Sequence, residues 1–417
     1  MTPQLTRLLL GTALCTATAL GVFWARHPNR VAVQPWSQDE EARVDDRVQL
    51  NEALSRRIPE AGEVGDAQGP ALVLVVLDGW NLEDAPLESL QGFEQSQIRA
   101  CAPKSLSAQG CLLSGLPPHA NGIFRHKGKQ NGFHALVKPL PTLLQEAGWR
   151  THAVVGERKV RPSRTGLKRG FDVFLGDDLR RGGEALPYIQ GDRVLKLARA
   201  LAQSPGGRQF LYVHLADGRM PWIPRAGFVG PGTLEARYLP EGGTRLRSGG
   251  FQEQKKRLAR RESVEPAALE TWLTARQAEW SFVDTQLAEF LQSLPEDAQV
   301  VVVGSVGVEL PGQLEIGGAM LPQIIQVPLA WKGMEWVVPQ RQDDLAHALA
   351  DLAGVQGLRR PAVQDSGIVE RHQGDLTLLI DDAYRVGPEG RSEGGAEIQA
   401  RADAWMLGID QDLEALR

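Results

Sequence analysis

The chain has 417 residues, 42% of them hydrophobic, and its 46 Lys and Arg against 51 Asp and Glu give a formal charge of −5. That apolar share supports a sizeable core and excludes disordered, collagen-like and multi-span membrane chains, while the near-neutral balance excludes the basic footprint usual for nucleic-acid binding. Three cysteines, Cys15, Cys101 and Cys111, are too few for a disulfide scaffold or a four-cysteine zinc site.

At the N-terminus Arg7 precedes an uncharged stretch from Leu8 to Trp24, and Arg26, His27 and Arg30 follow. An apolar run after a basic start is an export signature, which sends the chain to the periplasm or the extracellular space. Its 17 residues sit at the short limit for crossing a hydrocarbon core of about 30 Å. Two readings stand, a signal peptide cut near Ala17-Thr18-Ala19 or a retained membrane tether. The chain therefore divides into an export segment (1–30), a charged linker (31–69) ending in the Gly-rich stretch 62–69, an α/β body (70–355) and a C-terminal subdomain (356–417).

The body opens at Ala71-Leu-Val-Leu-Val-Val-Leu77, a continuous apolar run followed by Asp78-Gly79-Trp80. Such a strand has both faces buried, as in a parallel sheet covered by helices. Downstream, helices are expected at 141–148, 194–203 and 267–294, and strands at 149–155, 210–215 and 299–303. This alternation defines an α/β domain with a large, mostly parallel sheet between helices. Beyond it, 375–386 reads as a strand and a final helix starts near residue 396.

In such sheets the working residues sit at the carboxyl ends of strands. Asp78 follows the first strand, His214-Leu-Ala-Asp217-Gly-Arg219 closes another, and Gly304-Ser305-Val306-Gly307-Val308-Glu309 follows a third. An Asp at a strand end is either a metal ligand or a turn and helix-cap residue.

The order of segments resembles the sulfatase branch of the alkaline-phosphatase superfamily. Ala71 to Trp80 is similar to that family's opening strand with its metal-binding Asp. The run Ser105-Leu-Ser-Ala-Gln-Gly-Cys-Leu-Leu-Ser-Gly, continuing to Ile123, resembles the nucleophile helix and turn, usually C/S/T-x-P-S-R/H-x-S-L-L-T-G-x-x-P-x-x-H-G. Segments at 141–151, 170–174, 210–215, 280–291, 327–329 and 351–355 fall in the family's order. The resemblance implies an alkaline-phosphatase-like fold with a small C-terminal subdomain.

It also implies a chemistry: a Cys, Ser or Thr attacks a sulfate or phosphate ester while a divalent cation lowers the nucleophile's pKa. Ser105 falls at the nucleophile position and Asp78 at a metal position, with calcium, magnesium or zinc as the implied ion. Several expected partners differ. The residue after Asp78, often a second Asp, is Gly79, although the related cofactor-independent phosphoglycerate mutases also read D-G-W there. The family's S-D-H-G-E reads Ser305-Val306-Gly307-Val308-Glu309, so apolar residues stand where Asp and His bind metal. The usual Pro is Ser107, the usual Arg or His is Gln109, the expected substrate lysine reads Gly156-Glu157, and the His of D-P-H reads Arg219.

Arg219 is accordingly the candidate anion-binding residue, with Lys127, Lys129 and Arg158 as further cations, and each also reads as an ordinary surface charge. Ser105 is either a vestigial nucleophile or a helix-capping serine. His119 reads as structural, His214 as a hydrogen-bonded core histidine or as one facing the cleft, and Cys101 with Cys111 as a disulfide or as two buried thiols. Residues 237–262 carry eight Lys and Arg, suited to an anionic polymer or lipid head groups or to a variable surface insertion. Two functions follow: an exported, catalytically degenerate member that binds a protein partner or an anionic ligand, or a metal-dependent hydrolase or transferase acting on sulfate or phosphate esters through Ser105 and Asp78.

Overall fold

Six apolar residues in a row leave no polar face, so the strand they form, β1 (Leu72–Leu77), has to be covered on both sides. All six are fully buried in the computed structural model. The structure describes residues 71–82, 85–123, 125–126, 129–130, 132–157, 165–176, 188–204, 207–219, 222, 266–308, 322–360, 368–372, 375–380 and 384–386. The export segment, the linker, Lys127, Arg158, the basic stretch 237–262, Glu309 and the expected final helix lie outside these residues, as does the side chain of Lys129.

After β1 come β2 (Glu94–Arg99), α1 (Ser105–Ser114), α2 (Pro118–Asn121), β3 (Arg125–His126), β4 (Lys129–Gln130), α3 (Leu140–Glu146), β5 (Arg150–Val155) and β6 (Val173–Leu175). They are followed by α4 (Gly191–Ala202), β7 (Gln209–Leu215), α5 (Pro266–Gln292), β8 (Gln299–Gly304), α6 (Pro322–Ile325), β9 (Gln326–Lys332) and α7 (Gln342–Leu352). Among the described residues a seven-stranded sheet has the order β2-β9-β8-β1-β7-β5-β6. From β8 to β6 all neighbours pair parallel, and β9 runs against β8 and β2.

Strand alternation divides the core into two layers. Leu72, Leu74 and Val76 pack with Phe210, Tyr212 and the inner residues of α1, α3 and α7 on one face. Val73, Val75 and Leu77 pack with α4 and α5 on the other. Asp78, continuing that alternation, is delivered to the α1 face.

The expected elements form with shifted ends. Helix α4 starts at Gly191 rather than at residue 194, because the Asp217 carboxylate accepts a hydrogen bond from the Gly191 N–H at 2.8 Å and supplies a cap from a distant loop. One expectation is corrected: 375–386 is two strands, β11 (Asp375–Ile380) and β12 (Tyr384–Val386), which pair antiparallel with Leu378 opposite Val386. With β10 (Ile368–His372) they form a separate three-stranded sheet. Hydrophobic periodicity registers extended chain but not the reversal within it. No helix among the described residues is long and apolar enough to cross a membrane.

Candidate functional site

The parallel register brings three strand ends to one level. Val76 lies opposite His214, and Leu77 lies opposite both Leu215 and Gly304. The ladder continues one step past the strands, with the Asp78 N–H donating to the Leu215 carbonyl at 3.0 Å and the Ser305 N–H to the Leu77 carbonyl at 2.9 Å. Asp78, His214 and Ser305 therefore arrive side by side at the carboxyl edge of the sheet, and α1 begins above them. The loop after β1 is tied down by backbone: the Gly79 N–H donates to the Val306 carbonyl at 2.8 Å, and Asn81 Nδ2 to the Val308 carbonyl at 2.9 Å. Val306 and Val308 thus serve through their carbonyl oxygens while their side chains are fully buried.

Ser105 is not a capping serine. The N-cap of α1 is Lys104, which makes no side-chain cap bond, and Ser105 is the first helical residue. Its hydroxyl donates instead to Asp78 Oδ1 at 2.6 Å and accepts from Gln109 Nε2, one turn along, at 3.1 Å. Gln109 in turn accepts at Oε1 from the Tyr212 hydroxyl at 3.1 Å. The residue standing where the family carries a cation is thus a neutral spacer that fixes the serine.

Asp78 is the hub. Its Oδ1 also accepts from His214 Nε2 at 3.0 Å and from the Ser305 hydroxyl, and its Oδ2 accepts from Arg219 Nε at 2.5 Å. Arg219 reaches on through Nη1 to Glu157 Oε2, also at 2.5 Å, so one guanidinium bridges two carboxylates. Asp78, His214 and Ser305 are fully buried and Glu157 nearly so, while the Arg219 side chain keeps 23% of its surface exposed. Burial by itself pushes the Asp78 carboxyl up, but the charges of Arg219 and His214 and the bonds from His214 and Ser105 outweigh it and hold the group far below the usual carboxylate range. Burial tends to lower the Arg219 guanidinium, and Asp78 and Glu157 reverse this and raise it. Tyr212 is pushed well up by burial and then by the Asp78 charge, which keeps its hydroxyl a donor.

The Asp217-Gly218-Arg219 turn that delivers the guanidinium closes with the Arg219 N–H donating to the Ala216 carbonyl at 3.0 Å. It lies directly on the loop after β1: a Cβ at Gly218 would sit 1.9 Å from the Asp78 carbonyl oxygen. From α5, the buried Arg276 donates through Nη2 to the Gly79 carbonyl at 2.7 Å, with its guanidinium over the rings of Trp222 and Trp280. At the head of α1, Cys101 and Cys111 form a disulfide, which excludes the free-thiol alternative. Among the described residues no group of three or more His, Cys, Asp and Glu gathers as a metal would require.

The sequence-predicted residues Asp78, Ser105 and Arg219 are thus in one cluster. His214, which from sequence reads either as a core histidine or as one facing the cleft, belongs to the same cluster, as do Gln109, Glu157, Ser305 and Tyr212. His214, Glu157 and Ser305 carry the sequence signal of a position at or just past the end of a buried strand and Gln109 that of one helical turn from Ser105, whereas Tyr212 lies in the middle of β7. His119 lies on α2.

A mostly parallel sheet with a serine-headed helix over an aspartate at its first strand end defines a protein of the alkaline-phosphatase-like α/β class. The sulfatase family profile matches residues 74–355, and the chain belongs to that family. Solved structures share the fold at low identity. A 2-O GAG sulfatase is 13% identical with a TM-score of 0.58, over 84% of this chain and 94% of that one. The lipoteichoic acid synthase LtaP from Listeria monocytogenes is 15% identical with a TM-score of 0.53, over 88% and 98%. The phosphonate monoester hydrolase of Agrobacterium radiobacter is 14% identical with a TM-score of 0.51, over 84% and 95%. No curated protein matches the chain.

Proposed function

We propose that this chain is an exported sulfatase-family member that has lost its cation site and its ester chemistry, and that acts by binding a protein partner or an anionic ligand at the old cleft. The observation that carries this reading is the occupancy of Asp78. Both of its carboxylate oxygens are engaged by protein donors, and the guanidinium of Arg219 lies at 2.5 Å from Oδ2. A divalent cation needs several oxygen or nitrogen ligands around it, so the described residues at Asp78 do not fit one unless Arg219 leaves. The valines at 306 and 308 and the neutral Gln109 speak the same way, since neither supplies a metal ligand or a charge to hold a sulfate. In favour of export are the apolar N-terminal stretch and the Cys101–Cys111 disulfide, which is at home in an oxidising compartment.

A second reading, a metal-dependent hydrolase or transferase of sulfate or phosphate esters, is favoured by one observation. The Ser105 hydroxyl heads α1 and points at Asp78, 2.6 Å away, where a nucleophile would be wanted. Assays of the purified chain with aryl sulfate, aryl phosphate and aryl phosphonate in calcium, magnesium, manganese or zinc separate the two. Rates at the buffer background are expected. Turnover that disappears in Ser105→Ala would establish the enzyme instead.

A further inference from the structure

We propose that the groove between α7 and the segment 335–340 docks an arginine side chain of a protein partner, held by the carboxylates of Asp344 and Asp351 and by Nδ1 of His347. The groove is independent of what the Asp78 cluster does, since no residue of that cluster lines it.

The segment that forms one wall follows β9 and is pinned at its far end, where the Arg99 N–H donates to the Gln340 carbonyl at 2.8 Å. Its residues alternate. Trp336 and Val338 pack on the core, Trp336 against Trp331 with ring centroids 5.9 Å apart, while Val337 between them is 90% exposed. The opposite wall is one stripe of α7, where Asp344, His347, Ala348, Asp351 and Leu352 follow the helical repeat. Together the walls line a cavity of about 560 Å³, a volume within the ordinary range of ligand sites.

Charge selects the occupant. Glu335, Asp344 and Asp351 line the groove against one guanidinium, Arg360, and among the described residues none of the three carboxylates makes a hydrogen bond or ion pair. Burial and then the Asp343 charge raise the Asp344 carboxyl against the pull of Arg341, His347 and Arg360, as for a charge short of a partner. His347 is only 8% exposed and donates through Nε2 to the Gly115 carbonyl at 3.1 Å. Burial lowers its titration and favours the neutral ring. A Cβ at Gly115 would meet the Nε2–Cδ2 edge of that ring, so Nδ1 lies on the other edge, an acceptor that no described residue engages.

These acceptors are spread over two turns of α7, about 10 Å by helical rise, and do not gather as a metal ion requires. A row of acceptors beside an apolar wall fits several N–H donors on an apolar stem. Arginine has both, and its planar, weakly hydrated guanidinium also stacks on indole rings. A protein source follows from Val337, which a free amine would leave in water and an apolar neighbour of the arginine would cover.

The indole N–H resonance of Trp336, assigned through Trp336→Phe in heteronuclear NMR spectra of the full chain, tests this. Titration with acetyl-Leu-Arg-Leu-amide is expected to move it saturably. The peptide with citrulline in place of arginine, which lacks the charge, is expected to bind about tenfold more weakly. Asp344→Asn/Asp351→Asn is expected to lose the same factor for the arginine peptide. Arg360→Ala, which removes a competing cation from an exposed position, is expected to bind that peptide severalfold more tightly, and it decides the matter should the double variant not fold. Absence of a saturable shift, equal binding of the two peptides, or unchanged affinity in either folded variant overturns the proposal. Arginine amide binding as tightly as the peptide overturns it too, since the groove would then serve small cations. Ester turnover by the wild type would defeat the functional reading above and leave this inference standing.

Discussion

Arg276 Nη2 lies 2.7 Å from the carbonyl oxygen of Gly79, the residue next to Asp78. Its other terminal nitrogen points to the Gly218 carbonyl at 3.4 Å, next to Arg219. One side chain from α5, stacked between Trp222 and Trp280, thus joins the two loops that carry the ion pair at the centre of the site.

Replacing Arg276 by leucine keeps the apolar stem but removes the 2.7 Å bond to the Gly79 carbonyl and the tie between the two loops, while the Gly218 carbonyl keeps its bond from Trp222 Nε1 at 3.0 Å. Loss of one partner in a buried, charge-assisted network costs about 3 kcal/mol. Urea unfolding of Arg276→Leu is expected to show a drop of that order at unchanged slope. Arg276→Lys, a single point donor, should recover only a minor part.

Gly218 has no space for a side chain, since its Cβ would fall 1.9 Å from the Asp78 carbonyl oxygen, which is backbone and cannot swing away. Gly218→Ala must separate the loops after β1 and β7. Its expected cost exceeds that of an ordinary core substitution, above about 3 kcal/mol, read as loss of soluble protein or a much lower melting midpoint.

The architecture was largely legible because it is local. The β1 run, the parallel-sheet alternation and the family's motif order each depend on neighbouring residues. The site was only half legible. Asp78, Ser105 and Arg219 could be named by position, but the contacts among them join residues 27 and 141 positions apart. Ser305 reaches Asp78 across 227 positions. No spacing rule reports that a guanidinium delivered by one strand end meets the carboxylate of another. His214 shows the same limit: sequence leaves it between a core histidine and one facing the cleft, and in the fold it is both, fully buried with its Nε2 on the site carboxylate.

His152, on β5, titrates far below an ordinary histidine. Burial first, then the charge of Arg150, lowers it to about 4, against the opposing charge of Asp172. Its Nδ1 lies 2.7 Å from Gln209 Nε2 and accepts from it, which requires the neutral ring. Because the folded value lies below the unfolded one of about 6.5, the contribution is complete above that pH and is lost as pH falls toward 4. Unfolding free energy is expected to decline there with an extra slope of about 1.4 kcal/mol per pH unit. In His152→Asn that slope should be absent.

The Cys101–Cys111 bond closes a short loop around the start of α1, the turn that presents Ser105. For a loop of this size the bond contributes about 3 kcal/mol through the unfolded chain. Cys101→Ala/Cys111→Ala is expected to lose that much in urea unfolding. Wild type in strong reductant should match it.

The proposed function requires that Arg219, and not a metal ion, balances Asp78. Elemental analysis of the full chain, purified without chelator and dialysed against calcium, magnesium, manganese and zinc, tests it directly. The expected result is a content indistinguishable from the dialysis buffer for all four metals. A full equivalent of any one of them per chain, lost in Asp78→Ala, would contradict it.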